Sequence, residues 1–137
     1  MTARFTIDEI LTPLALTVII DNKIRDPEMR EFVTQAEGLI EALDDFEHMP
    51  TKNMMTWFHT NEGELIKKLK GRSKNTFILK TLTRFKGSDA LIEAMYDAML
   101  AISISDKEYH EDESELIKSA ASLWGHVRPP FKVVKSK

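Results

Sequence analysis

Helix start and stop signals, separated by apolar residues at helical spacing, recur along the chain and constrain its fold more than any other feature. The 137 residues include only five glycines and five prolines, and no segment shows the alternation typical of a β-strand. "TIDE", at Thr6–Glu9, has the capping-box pattern, and Asp26-Pro27-Glu28 places an N-cap aspartate before a proline. We therefore predict an all-α fold.

About seven helices are predicted, packed as a single compact bundle. Pro13 either kinks the first helix or begins a second one with Thr12 as its cap. Gly63 is a candidate break between two helices, whereas Gly71 and Gly87 are expected to end helices. The predicted helices start near Thr6, Asp26, Asn53, Ser73, Ser88 and Glu111. The most apolar stretches, residues 12–21 and 89–105, are expected to form the central helices.

The predicted domain covers residues 1–126, followed by a flexible basic tail over 127–137 that contains Pro129-Pro130. The hydrophobic content of 42% is sufficient for a core, and the absence of cysteine excludes disulfides, thiolate metal sites and cysteine nucleophiles. The N-terminal residues are acidic where a secretory signal is basic, and the longest charge-free run, 10–20, is too short to span a bilayer. We expect a soluble cytoplasmic protein.

Positive charge is concentrated in one central segment, although the net charge of the chain is −3. Residues 67–86 hold eight basic side chains and no acidic one, and residues 126–137 add four more. Such runs are often ordinary solvated helix faces, but they also suit acidic partners. The candidate basic patch consists of Lys67, Lys68, Lys70, Arg72, Lys74, Lys80 and Arg84. Its aromatic neighbours, Phe77 and Phe85, share a helical spacing with Ile78 and Leu82 that predicts core positions.

Two acidic segments 85 residues apart have the same outline. "DNKIRDPE" begins at Asp21 and "DKEYHEDE" begins at Asp106. In each, an aspartate follows an apolar helix, an apolar residue comes three positions later, and a glutamate seven positions later enters an amphipathic helix. We interpret them as two pseudo-repeated helix–turn–helix hairpins in one domain.

At these residues the chain resembles the TerB family of tellurite-resistance proteins. The matching segments are "VIIDNKIRDPE" and "AISISDKEYHEDE", which together cover the two end hairpins, about half of the chain. Asn22 and Lys107 replace the glycine that commonly follows the aspartate in that family. The resemblance implies an all-α bundle associated with tellurite resistance and stress, in which acidic residues have been proposed to bind metal. It implies no catalytic reaction.

The repeated carboxylates have two interpretations that the sequence leaves open. Asp21, Glu28, Asp106 and Glu113 could satisfy the free N–H groups at helix starts, or they could bind a divalent cation such as Ca²⁺, Mg²⁺ or Mn²⁺. An EF-hand loop is excluded, because Glu111 and Ile117 occupy the positions that require Gly and Glu. The histidine spacings do not match a zinc or di-iron site.

No catalytic signature accompanies these features, since the chain lacks a phosphate-binding loop, a dinucleotide fingerprint and a nucleophile elbow. The first functional hypothesis is therefore a non-catalytic TerB-like stress-associated domain that binds a divalent cation at its acidic corners. The alternative is an interaction module that binds an acidic protein, nucleic acid or an anionic membrane through the basic patch. Protein partners are expected first. Nucleic acid is the least expected, because no sequence-reading motif is present.

Overall fold

The computed structural model describes residues 6–20, 26–42, 51–87, 89–105 and 111–124. These residues form six helices and no strand, which confirms the predicted all-α class. The helices are α1 (Ile7–Ile19), α2 (Asp26–Ala42), α3 (Thr51–Lys70), α4 (Lys74–Thr83), α5 (Asp89–Ser103) and α6 (Glu111–Trp124). No helix in this described part is both long and apolar enough to cross a membrane.

The core is organised around α1 and α5, the two helices that contain the stretches predicted to be central. Every residue of α1 from Pro13 onward is buried, so the helix contacts protein on all sides. It packs against α2, α3, α4 and α5, while α5 also packs against α2 and α6. Apolar positions at helical spacing are buried along α2, α4 and α5, among them Phe32, Ala36, Ile78, Leu82, Met95 and Met99. Of the two aromatic residues predicted to be core positions, Phe85 is buried, whereas Phe77 is only half-buried at the edge of the core.

Two expected interruptions do not occur. α1 continues through Pro13, so the predicted restart with Thr12 as a cap is wrong. The Thr17 hydroxyl donates to the Pro13 carbonyl at 2.9 Å, inside the buried turn that follows. α3 likewise continues through Gly63, so the break proposed there is wrong. Burial of the apolar face of each helix outweighs the local preference of a single proline or glycine.

Aromatic contacts join helices that are distant in the sequence. The Phe32 ring of α2 lies 5.4 Å from that of Phe58 on α3 in a tilted arrangement. Phe85, just after α4, meets Trp124 of α6 edge-to-face at 6.2 Å. The Trp124 indole N–H also donates to the Leu82 carbonyl at 2.8 Å. These contacts fix α3 to α2 and the end of α4 to α6, and thereby position the surface that α3 and α4 share.

The two hairpins of the predicted repeat correspond to α1–α2 and α5–α6, and the helices of each pair pack together. The connecting residues 21–25 and 106–110 lie outside the described part of the chain. The equivalence of the two turns therefore stays a prediction. The same holds for the predicted C-terminal tail over 127–137, which also falls outside the described residues.

Candidate functional site

The predicted basic patch lies on the hairpin formed by α3 and α4. Three of its lysines, Lys67, Lys68 and Lys70, come from the last turns of α3, where positive charge is favourable for the helix dipole. Most of its side chains are exposed, whereas Lys74 and Arg84 are half-buried. Arg84, predicted to belong to the basic patch, instead reaches across to α1. The exposed members are Lys67, Lys68, Lys70, Arg72 and Lys80.

Positive charge on this hairpin is largely uncompensated. Arg84 forms an ion pair with Glu9, its Nε lying 2.6 Å from Glu9 Oε2. In the described part of the chain, no carboxylate lies within 4 Å of the ammonium or guanidinium nitrogens of the other six members. Lys68 instead places its Nζ 4.9 Å from the centroid of the Phe77 ring, a cation–π contact between the two helices.

The start of α4 adds backbone donors to the same region. Ser73 occupies the N-cap position, but its side chain makes no capping hydrogen bond, and the first turn contains no acidic residue. Lys74 begins the helix there, where its positive charge is unfavourable to the dipole. The start of α4 thus lacks a side-chain cap and an acidic first turn, although the Lys74 N–H donates to the Gly71 carbonyl at 3.3 Å. A helix start of this kind favours an anion.

A groove of about 1020 Å³ runs between α3, α4 and the first turns of α1, and it is open to solvent. Trp57, Leu65, Phe77 and Leu79 contribute its apolar surface. Leu79 is 47% exposed, which is unusual in this molecule, since the other large apolar side chains of the described helices are buried or half-buried. Asp8, Glu9, Glu64, Lys68, Lys80 and Arg84 line the groove with charge.

The α1 end of the groove is held by hydrogen bonds. Thr6 and Glu9 form the predicted capping box, with backbone-to-side-chain distances of 2.8 and 3.0 Å. The Trp57 indole N–H donates to Asp8 Oδ1 at 2.7 Å. Burial alone would raise the pKa of Glu9, but hydrogen bonds from the Thr6 backbone and Arg84, together with the charge of Arg84, lower that pKa below its usual value. Glu9 therefore stays ionised, and its ion pair with Arg84 joins the first turn of α1 to the C-terminal end of α4.

Sequence reasoning missed this groove. It identified Glu9 as half of a capping box, but the link to Arg84 spans 75 positions and the link between Asp8 and Trp57 spans 49. No local pattern connects such pairs. The sequence contains one signal of the groove: Leu79, a large apolar residue, lies on the charged side of the amphipathic segment that forms α4.

The acidic corners are described only in part. Asp21 and Asp106 lie outside the described residues, and Glu113 lies in the first turn of α6 with its side chain outside them. Glu28, in the first turn of α2, is completely buried. Within the described residues, no three acidic or histidine side chains lie close enough to hold a metal ion. The four-carboxylate site stays a prediction.

Comparisons of the chain with protein-family models, with curated proteins and with solved structures find no match. The resemblance to TerB therefore rests on the two quoted motifs alone. The most distinctive part of the described surface is the α3–α4 hairpin with the adjoining groove.

Proposed function

We propose that the protein is a non-catalytic interaction module that binds an acidic partner through the α3–α4 hairpin. The observation that supports this proposal is the set of six basic side chains on the hairpin that have no carboxylate within 4 Å in the described part of the chain. Like charges on one surface repel each other, so a cluster of this kind costs stability unless an anionic partner or counterions compensate it.

The distribution of charge supports the same proposal. The chain as a whole is acidic, with a net charge of −3, and yet residues 67–86 contain no acidic side chain. The acidic residues of the hairpin, Glu62 and Glu64, precede this segment on α3, and neither lies within 4 Å of an ammonium or guanidinium nitrogen of the patch. The uncapped start of α4 adds N–H donors beside Arg72 and Lys74. The basic side chains and these N–H donors together produce a positive electrostatic field that steers an anionic partner toward this face.

Charge reversal at the hairpin is expected to weaken binding of an acidic peptide by about tenfold, because three exposed ion pairs together contribute roughly 0.6–3 kcal/mol. The variant is Lys67→Glu/Lys70→Glu/Lys80→Glu, and the probe is a fluorescein-labelled glutamate-rich peptide. Fluorescence anisotropy would be measured at low and at physiological salt, and binding by the unmodified protein should weaken strongly as salt increases.

A matched control separates a specific face from net charge. Arg30→Glu/Lys52→Glu/Lys118→Glu changes the total charge by the same amount at exposed positions on α2, α3 and α6. Under the proposal this control binds the peptide nearly as well as the unmodified protein. Equal weakening by both triple variants, or no peptide binding at low salt, would show that the hairpin is not a binding face.

A second candidate function is the TerB-like one, in which the acidic corners bind a divalent cation. It is favoured by Glu28, whose side chain is 0% exposed. A carboxylate removed from water requires hydrogen-bond donors or a cation to offset its desolvation. Metal titration distinguishes a bound cation from hydrogen-bond donors of the protein.

Isothermal titration with Ca²⁺, Mg²⁺ and Mn²⁺ tests the cation proposal. We expect binding below millimolar metal, with affinity reduced at least about tenfold in Glu28→Gln, since an amide is a weaker ligand than a carboxylate for hard cations. Glu41→Gln, an exposed position on the same helix, serves as the control. The absence of heat at millimolar metal, or equal affinity in Glu28→Gln with unchanged circular dichroism, would contradict the proposal.

A further inference from the structure

We propose that the groove between α1, α3 and α4 binds an acidic amphipathic helix of a partner protein. This inference deepens the function proposed above and rests on it, because the same hairpin provides the charge. The occupant is defined by three requirements: a helical shape, an apolar stripe along one side, and carboxylates on its flank beside Lys68 and Lys80. Each requirement follows from a different property of the groove.

The shape of the groove suits a short helix. On α3 its lining extends from Trp57 to Lys68, about 16 Å at the helical rise per residue. The opposite wall runs from Thr76 of α4 to Arg84, which directly follows that helix, over about 12 Å. A helix of about three turns matches that length. The groove is open along its side, whereas small-molecule sites enclose most of the surface of their ligand.

Apolar contact is available along the middle of the groove. Trp57 and Phe77 are half-buried, and Leu79 is 47% exposed. The Trp57 indole is held by its hydrogen bond to Asp8 and by stacking on Phe32, with 6.4 Å between ring centroids. A ring held on both sides loses little conformational freedom on binding. These side chains can accept apolar residues spaced i, i+3/i+4 and i+7 on a partner helix.

Charge complementarity selects an acidic helix. The carboxylates at the α1 end, Asp8 and Glu9, already accept hydrogen bonds from Trp57 and Arg84. In the described part of the chain, Lys68 and Lys80 have no carboxylate within 4 Å. The remaining groove carboxylate is Glu64, one turn before Lys68 on α3. Asp8 keeps its charge, because the Trp57 indole that donates to it is neutral, so the charged lining of the groove is balanced, with three acidic and three basic side chains. The excess of positive charge comes from the exposed members of the basic patch outside the groove, on the adjoining hairpin, and it favours carboxylates on the flank of the partner helix.

The basic C-terminal segment of this chain does not meet these requirements. Residues 126–137 carry four basic side chains and no acidic one, so the hairpin would repel them. A second copy of the chain and an anionic membrane are different occupants, and both give distinguishable results in the experiment that tests the inference.

The test compares two labelled peptides of equal composition in fluorescence anisotropy. The first is an amphipathic helix with leucines in one stripe and glutamates on its flanks; the second is a scrambled version without the stripe. We expect the striped peptide to bind at least about fivefold more tightly, because burial of even one leucine contributes about 1.5–3 kcal/mol. Leu79→Ala should remove most of that advantage and leave binding of the scrambled peptide unchanged.

Two variants act as controls for the groove. Val33→Ala shortens a half-buried aliphatic side chain on α2, away from the groove, and should leave both peptides unaffected. Glu64→Gln removes the carboxylate beside Lys68 and should strengthen binding of the striped peptide by about twofold, the size of one exposed charge pair. An unchanged melting temperature in Leu79→Ala would show that its effect on peptide binding is local.

The outcomes separate this inference from the function on which it rests. If both peptides bind equally and Leu79→Ala has no effect, while Lys67→Glu/Lys70→Glu/Lys80→Glu still weakens both, the groove inference is wrong and the basic face stands. If neither peptide binds and charge reversal has no effect, the proposed function itself fails. Phosphatidylserine vesicles that bind more tightly than the striped peptide, or a dimer abolished by Leu79→Ala in sedimentation, would also overturn the assignment of a partner helix.

Discussion

Replacing Phe58 by alanine is expected to lower the free energy of unfolding by about 3–5 kcal/mol. Phe58 is 1% exposed and lies on α3, with its ring 5.4 Å from that of Phe32 on α2. Truncation removes a buried aromatic group and leaves a cavity, because the packed helices around it relax only partially. Since a domain of this kind is typically stable by about 5–15 kcal/mol, one substitution would remove a large part of its stability.

Urea unfolding followed by circular dichroism measures this effect, with the midpoint expected to fall while the slope stays constant. Thr60→Ala is the matched control, because Thr60 is exposed two positions away on the same helix. Alanine has the higher helix propensity, so the control should be neutral or slightly stabilising. A loss below about 1 kcal/mol in Phe58→Ala would show that α3 does not pack against α2 as described.

Features encoded by neighbouring residues could be predicted from the sequence. The capping box at Thr6 and Glu9 is formed, and α6 begins at Glu111, where a helix start is predicted. α3 ends directly before Gly71, and Gly87 has a φ of 94°, which supports its predicted role as a stop. Each signal depends on backbone hydrogen bonds within a few residues, and such short-range constraints act in the same way in most contexts.

Continuity of helices was less predictable. Pro13 and Gly63 both weaken a helix locally, and for that reason each suggested a boundary. In the structure the residues around Pro13 are buried, and α3 presents Phe58 and Leu65 to the core on either side of Gly63. The free energy gained by burying those side chains exceeds the local cost. The predicted count of about seven helices therefore becomes six in the described part of the chain.

The candidate site could not be predicted from local sequence patterns, for a related physical reason. The basic segment is visible in the sequence because its members are close in the chain, but the groove is assembled from α1, α3 and α4. Its key contacts, between Asp8 and Trp57 and between Glu9 and Arg84, join residues whose spacing follows no period. Packing between helices brings these walls into place, including the contacts of Phe32 with Phe58 and of Phe85 with Trp124.

Substituting both Gly38 and Gly63 by alanine is expected to raise the free energy of unfolding by about 2 kcal/mol, about 1 kcal/mol for each site. Both glycines are exposed inside helices, Gly38 in α2 and Gly63 in α3. A Cβ atom at either position would meet no atom within 4 Å, so the added methyl group costs no steric strain. Alanine also restricts the unfolded chain more than glycine does. Because the sites lie on different helices and share no contact, their effects should add.

Gly87→Ala is the opposing control in the same urea experiment. Gly87 also has open space where a methyl group would lie, but its φ of 94° is a conformation that alanine rarely adopts. We expect this variant to lose about 1–3 kcal/mol, the usual cost of such a backbone conformation. A gain in stability in the Gly38→Ala/Gly63→Ala variant and a loss in Gly87→Ala would distinguish exposed glycines inside helices from a glycine that a positive φ requires. A loss of stability in Gly63→Ala alone would contradict a continuous α3, since an alanine at an uncrowded position inside a helix cannot destabilise it.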